Sequence, residues 1–153
     1  MNLYTLEVFI ISGPMTEEFL KNNSVISRTI EIQGIHTLKD LHLAIFDAFD
    51  REDEHMYEFQ IGGKGPNDPK TDRYSTPDPF GISEDAPQLS GDPASTAIDS
   101  LGLKTEDTFG YWFDFGDDWW HQINVISIKD RSPSKAHPRV IKRIGKSPPQ
   151  YLD

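Results

Sequence analysis

The chemically suggestive side chains in this 153-residue chain are three of its five histidines and a cluster of aspartates: His42, His55 and His121 with Asp114, Asp117 and Asp118. Imidazole nitrogens and carboxylate oxygens are what a zinc-like ion or a general acid–base pair would need. His42, His55, His121 and Asp114 are therefore the catalytic candidates, and His42, His55, His121 and Asp117 the candidate metal ligands. Their spacing matches neither H-E-x-x-H nor H-x₃-H. A histidine set among aromatic residues ordinarily bonds a backbone or carboxylate partner. The main expectation is thus a non-enzymatic binding module with packing histidines and no cofactor; the alternative is a metal-dependent hydrolase built on the His/Asp set.

Other chemistries find less support. With no cysteine, disulfides and thiolate-bound zinc or iron–sulfur centres are excluded. Asp114-Phe115-Gly116 spells the metal-binding tripeptide of protein kinases, but the chain lacks a kinase's length, Gly-rich loop and catalytic loop. Gly62-Gly63-Lys64-Gly65 lacks the spacing and the Ser/Thr of a phosphate-binding loop. No serine sits in a nucleophile elbow.

The elements that must position the candidates can be read from periodicity. Residues 109–128 contain all three tryptophans and read as one β-hairpin. Phe109, Tyr111, Phe113 and Phe115 alternate on its first strand, and Trp119, His121, Ile123 and Val125 on its second. Well-placed ring pairs add about 0.5–1.5 kcal/mol beyond burial, which makes this hairpin the heart of the core. The turn Gly116-Asp117-Asp118 is expected to place Gly116 at positive φ.

Before the hairpin, Tyr4, Leu6, Val8 and Ile10 alternate as a first strand and Val25 to Ile32 forms a second, with Ile26, Arg28, Ile30 and Ile32 inward. Met15 to Asn23 offers a short helical turn between them. Thr37, with Asp40 three residues on, caps the clearest helix, in which Leu38, Leu41, Ile45, Ala48 and Phe49 repeat at helical spacing. Asp50 to Glu54 is a charge run expected in solvent. His55 to Ile61 is a third strand with Tyr57, Phe59 and Ile61 inward. Residues 62–96 read as a long irregular excursion, within which 64–94 are expected to be the least protected part of the chain, and Ser95 to Leu103 as a brief helical turn. The order strand, strand, helix, strand, long loop, hairpin predicts one α+β domain over residues 1–130. One helix would pack on a mixed or antiparallel sheet in a β-grasp-like arrangement.

Charge divides the chain unevenly. Residues 129–153 hold seven Lys/Arg against two Asp/Glu, although the whole chain carries a net charge of −10. An acidic body repels nucleic acid, so only a basic, proline-containing tail over residues 131–153 could meet phosphates. Arg139, Lys142, Arg143, Lys146 and Tyr151 are its candidate contacts, with a protein as the principal expected partner. Polyproline-like extended structure is expected there. The N-terminal residues carry no basic leader pattern and no apolar run reaches membrane-spanning length, which points to a cytoplasmic protein without membrane contact.

Val25-Ile-Ser-Arg-Thr-Ile30, Thr37-Leu-Lys-Asp-Leu-His42 with Ala48-Phe49, His55-Met-Tyr-Glu-Phe59 and Tyr111-Trp-Phe-Asp-Phe-Gly-Asp-Asp-Trp-Trp-His121 together resemble the plasmid pRiA ORF-three-like family. The resemblance covers about residues 3–130, and the tail from His137 to Tyr151 is similar to a form found in part of that family. It implies an α+β fold near the β-grasp and a link with plasmids or mobile elements, and it implies no established activity. Ser24-Val-Ile-Ser-Arg-Thr29 replaces the family's Pro-Pro-Ile-Trp-Arg-Arg stretch. The family's Cys-rich, acidic C-terminal segment is absent, so functions residing in those two parts do not carry over.

Overall fold

Alternation in the first residues produces a long strand that becomes an interior member of the sheet. The computed structural model describes residues 1–63, 69–76, 89–130 and 137–152. Strands β1 (Asn2–Ser12), β2 (Ser27–Gln33), β3 (Tyr57–Ile61), β4 (Asp72–Ser75), β5 (Thr108–Phe113), β6 (Trp119–Asp130) and β7 (Arg139–Ile144) form one sheet. Their spatial order is β4-β3-β5-β6-β1-β2-β7. Two α-helices, α1 (Glu17–Asn22) and α2 (Leu38–Ala48), and two 3₁₀ turns, Pro93–Ser95 and Ile98–Leu101, complete the described elements.

Register places the alternating sets on a common face. Leu6 lies opposite Ile30 on one side and Val125 on the other, Val8 opposite Arg28 and Ile123, and Ile10 opposite His121. The same row continues through Tyr111 to Phe59, and Phe113 lies between Tyr57 and Trp119. These residues are buried, and each large apolar side chain so buried contributes about 1.5–3 kcal/mol. Helix α2 packs on this face through Leu38, Leu41, His42, Ile45 and Ala48. Its start carries the expected capping box: Asp40 N–H donates to Thr37 Oγ1 at 3.2 Å and Thr37 N–H to Asp40 Oδ2 at 2.9 Å.

The end of α2 is held by two guanidiniums. Arg28 Nε and Arg143 Nη1 both donate to the Ala48 carbonyl, at 2.9 and 2.6 Å, where the helix dipole favours positive charge. Arg28 also donates to the carbonyls of Ser27, Ile144 and Gly145 and to Ser147 Oγ. One buried side chain thereby ties a helix, two strands and the C-terminal segment together.

The α+β class holds at the level of a helix packed on a sheet, with several finer expectations corrected. Each strand pairing is antiparallel, one of the two sheet types expected, and the spatial order β4-β3-β5-β6-β1-β2-β7 gives no support to the β-grasp-like arrangement. Among the described residues there are two α-helices rather than one. The expected polyproline-like tail contains β7, which pairs with β2; here the β-branched run Arg139-Val-Ile-Lys-Arg-Ile144 outweighs the flanking prolines. As the sheet's outer strand, β7 is blunted by a register shift opposite Thr29 and Ile30 and by exposed Lys142, two devices that discourage edge-to-edge pairing. Within the expected excursion over 62–96, β4 pairs with β3, and residues 64–68 and 77–88 lie outside the described residues.

The hairpin turn also differs from expectation. Positive φ falls at Asp114 (60°) and Asp118 (56°), not at Gly116. Asp114 Oδ1 accepts the N–H groups of Gly116 and Asp117, at 3.1 and 3.2 Å, a local bonding pattern that lets aspartate occupy a left-handed position. A Cβ on Gly116 would meet only Asp114 Oδ1, at 3.5 Å. Gly116→Ala should therefore shift stability by under about 0.5 kcal/mol. Asp114→Ala, which keeps the strained φ and removes both acceptor contacts, should cost about 1–3 kcal/mol. Urea melts of the two variants check the ordering.

Candidate functional site

The site forms where α2, the hairpin and residues 50–55 meet. Helical spacing puts His42 one turn after Leu38 on the buried face of α2, and its ring stacks on Tyr57 at a centroid distance of 3.6 Å and an interplanar angle of 3°. His42 Nδ1 meets the Tyr111 hydroxyl at 2.5 Å, and Nε2 lies 3.0 Å from Glu54 Oε2. On the other side of the same tyrosine, His121 Nδ1 lies 3.1 Å from the Tyr111 carbonyl and His121 Nε2 lies 2.8 Å from Arg51 Nη2.

The partners of His121 fix its tautomer: a carbonyl accepts only, so Nδ1 carries the proton, and Nε2 accepts from the guanidinium, which makes the ring neutral. A carboxylate accepts only, so His42 Nε2–H donates to Glu54. The Tyr111 hydroxyl can donate to Nδ1 or accept from it, and burial favours the neutral ring, in which the hydroxyl donates. Burial lowers the His42 pKa, partly offset by Glu54, and burial beside the Arg51 charge pushes His121 well below the ordinary imidazole value. Burial also holds the Tyr111 hydroxyl well above its usual range.

Arg51 is the element least visible in the sequence. It lies in the charge run expected in solvent, yet it is buried, with its guanidinium carbon 4.8–5.2 Å from the ring centroids of Phe49, Phe113 and Trp119. Cation–π attraction offsets part of its desolvation; burial still lowers its pKa to about 10, leaving it charged at neutral pH. The inward turn follows from Asp50, at φ 57°, which ends the helical path. The C-terminal segment then braces the loop. Gln150 Oε1 accepts from Glu52 N–H and Asp53 N–H at 2.8 and 3.0 Å, and its Nε2 donates to the Asp53 carbonyl at 2.8 Å.

The sequence-derived candidates do not form one constellation. His42 and His121 contact Tyr111 through different atoms, whereas His55 stands apart, 3.4 Å from Asp114 Oδ2 and 3.0 Å from the Tyr151 hydroxyl. Asp114 caps the turn, and Asp117 and Asp118 are exposed, Asp118 accepting from Trp112 Nε1 at 2.8 Å. Among the described residues, no three His or carboxylate side chains are placed to hold one metal ion. Of the tail candidates, Arg139 pairs with Glu31 at 2.8 Å, Arg143 caps α2, and Tyr151 donates to Asp53 Oδ2 at 2.9 Å. Lys142 and Lys146 are exposed.

An open cleft of about 530 Å³ borders this network, walled by Lys39, His42 and Leu43 of α2, by Glu54, His55, Met56 and Tyr57 leading into β3, and by Thr76, Asp92 and Ala94. Sequence reasoning reached His42 and His55 here. Glu54 and Asp92 were hidden by the abundance of acidic residues, and Tyr57 carried only a packing signal.

The described chain thus belongs to the class of antiparallel sheets covered by a capped helix, with a tyrosine–histidine network buried between them; none of its helices is long and apolar enough to cross a membrane. The family model described as plasmid pRiA4b ORF-3-like protein matches residues 18–152, and the chain belongs to that family. A crystal structure of MM3350, a protein of unknown function from Methanosarcina mazei Go1, has a similar fold. The TM-score is 0.71 at 23% identity, over 97% of this chain and 72% of that one. No curated protein matches the chain.

Two measurements probe the network. Unfolded histidine titrates near 6.5, and both buried imidazoles titrate lower when folded. Below about pH 6.5 the unfolded chain therefore takes up protons that the folded chain refuses. Stability should be at its full value above that pH and fall progressively below it, at up to about 1.4 kcal/mol per pH unit for each histidine. Denaturant midpoints across pH 5–8, compared between the parent chain and His121→Gln, test the sign. Tyr111→Phe leaves His42 Nδ1 without its donor and should cost about 1–3 kcal/mol in the same assay.

Proposed function

We propose that this protein is a non-enzymatic binding module whose ligand enters the cleft between α2 and the start of β3. The observation that carries the reading is the engagement of both nitrogens of His42 and of His121. A general base or a metal ligand needs a nitrogen aimed at the reacting group, and here all four are committed to neighbours inside the fold. The buried network acts as a rigid floor, and a preformed cleft of this size is ordinary for ligand binding. A polypeptide partner in the cytoplasm fits this reading, and the family's name associates the role with plasmids or other mobile elements.

Calorimetric titration of chelator-treated protein with zinc, manganese and nickel tests it against the hydrolase alternative. No stoichiometric site tighter than about 1 μM is expected, because catalytic zinc needs three protein ligands converging on one point. A tight site lost in both His42→Ala and His121→Ala would replace the binding module with a metal-dependent enzyme.

A further inference from the structure

The cleft wall combines features that choose among ligand classes. Glu54 keeps 55% of its side chain exposed while accepting from His42, so its carboxylate has room for further donors. Asp92 also lines the cleft, with one oxygen taken by Ala94 N–H at 2.9 Å, and it acts on the same Tyr57 hydroxyl as Glu54. Lys39 is the one cationic side chain among the described lining residues. Burial lowers the His42 pKa and so favours its uncharged ring. The field is therefore negative. Burial first, and then Glu54, Asp92 and Asp40 acting on its hydroxyl, raise the Tyr57 pKa to about 12.

The remaining wall is apolar and unusually open. Leu43 is 42% and Met56 48% exposed, and both line the cleft. Aliphatic surface beside paired carboxylates suits a side chain with a hydrocarbon stem and a cationic head. An anionic ligand would meet Glu54 and Asp92 head on, and a purely apolar one would strip water from both carboxylates without replacing their hydrogen bonds.

Building on the cleft reading above, we propose that the ligand is a lysine or arginine side chain of a partner polypeptide, its cationic head between Glu54 and Asp92 and its stem against Leu43 and Met56. A polypeptide fits better than a free polyamine because the exposed Leu43 and Met56 can also receive the apolar residues flanking the basic one. Charge complementarity sets the occupant, and it makes binding sensitive to salt.

The test is NMR titration of the full chain with four capped five-residue peptides, identical except for a central arginine, lysine, glutamine or glutamate between leucines, and with spermidine as the free-amine arm. The arginine and lysine peptides should shift the amides of Leu43, Glu54, Met56 and Tyr57. They should bind about tenfold more tightly than the glutamine peptide, and more tightly than spermidine, with the preference shrinking as salt shortens the Debye length from about 10 to 3 Å. A double variant Glu54→Gln, Asp92→Asn keeps both side-chain shapes and should abolish the preference. Tighter binding of the glutamine or glutamate peptide would overturn the cationic assignment while leaving the cleft a binding site. Spermidine binding ahead of the peptides would overturn the polypeptide assignment, and a cleft silent to all five probes would overturn the cleft reading itself.

Discussion

Tyr111 is the residue on which the site's geometry depends, because one side chain and its own carbonyl satisfy two buried imidazoles. Its hydroxyl fixes His42 on α2 and its carbonyl fixes His121 on β6. Through those rings it reaches Glu54 and Arg51, both in the loop after the helix. A helix, two strands and a loop are thereby held to one register by polar contacts inside an aromatic core. An unpaired polar group in such surroundings would cost far more than an ordinary hydrogen bond yields. The network consequently specifies one arrangement more sharply than apolar packing could.

Two arginines reinforce that specificity in different ways. Arg28 works through carbonyls and sits where three backbone segments end or cross. Arg51 works through ring faces and a neutral imidazole. The carbonyls around Arg28 and the ring faces over Arg51 offset part of the hydration that burial removes, with Asp50 and Asp114 favouring the charge of Arg28 and Arg51 respectively. The cleft beside them gains a stiff floor. Its outer wall remains solvated, where Leu43, Glu54 and Met56 are free to meet another molecule.

Much of this architecture was legible in the residues. The alternation in β1, β5 and β6, the capping box of α2 and the inward Arg28 all follow from local periodicity and composition, and each recurs in the structure. What escaped depended on distant neighbours. Arg51 reads as one charge among several until Phe49, Phe113 and Trp119 are brought over it. Residues 139–144 read as tail until the free edge of β2 is known to need a partner. Gly116 drew attention as the turn's natural left-handed residue, but Asp114 and Asp118 took those positions because their carboxylates bond locally. His42, His55 and His121 stood out as candidate catalytic or metal-binding groups; in the fold His42 and His121 are buried and His55 is half-buried. Sequence spacing gave no means of learning that Tyr111 would separate two of them.

The place of β1 in the sheet has a bearing on how the chain comes to be assembled. Synthesised first, β1 finds only β2 nearby in sequence; its other edge waits for β6, more than a hundred residues later. β2 waits comparably long for β7, also more than a hundred residues on. During synthesis the early ribbon therefore presents two open edges and an uncovered apolar face, and the pairings that close it span most of the chain. Such long-range closure slows folding and lengthens exposure to wrong partners. The polar and charged residues interleaved along β1 and β2, among them Thr5, Glu7, Thr29 and Glu31, then act as guards for a nascent chain whose sheet cannot be completed until nearly its last strand has emerged.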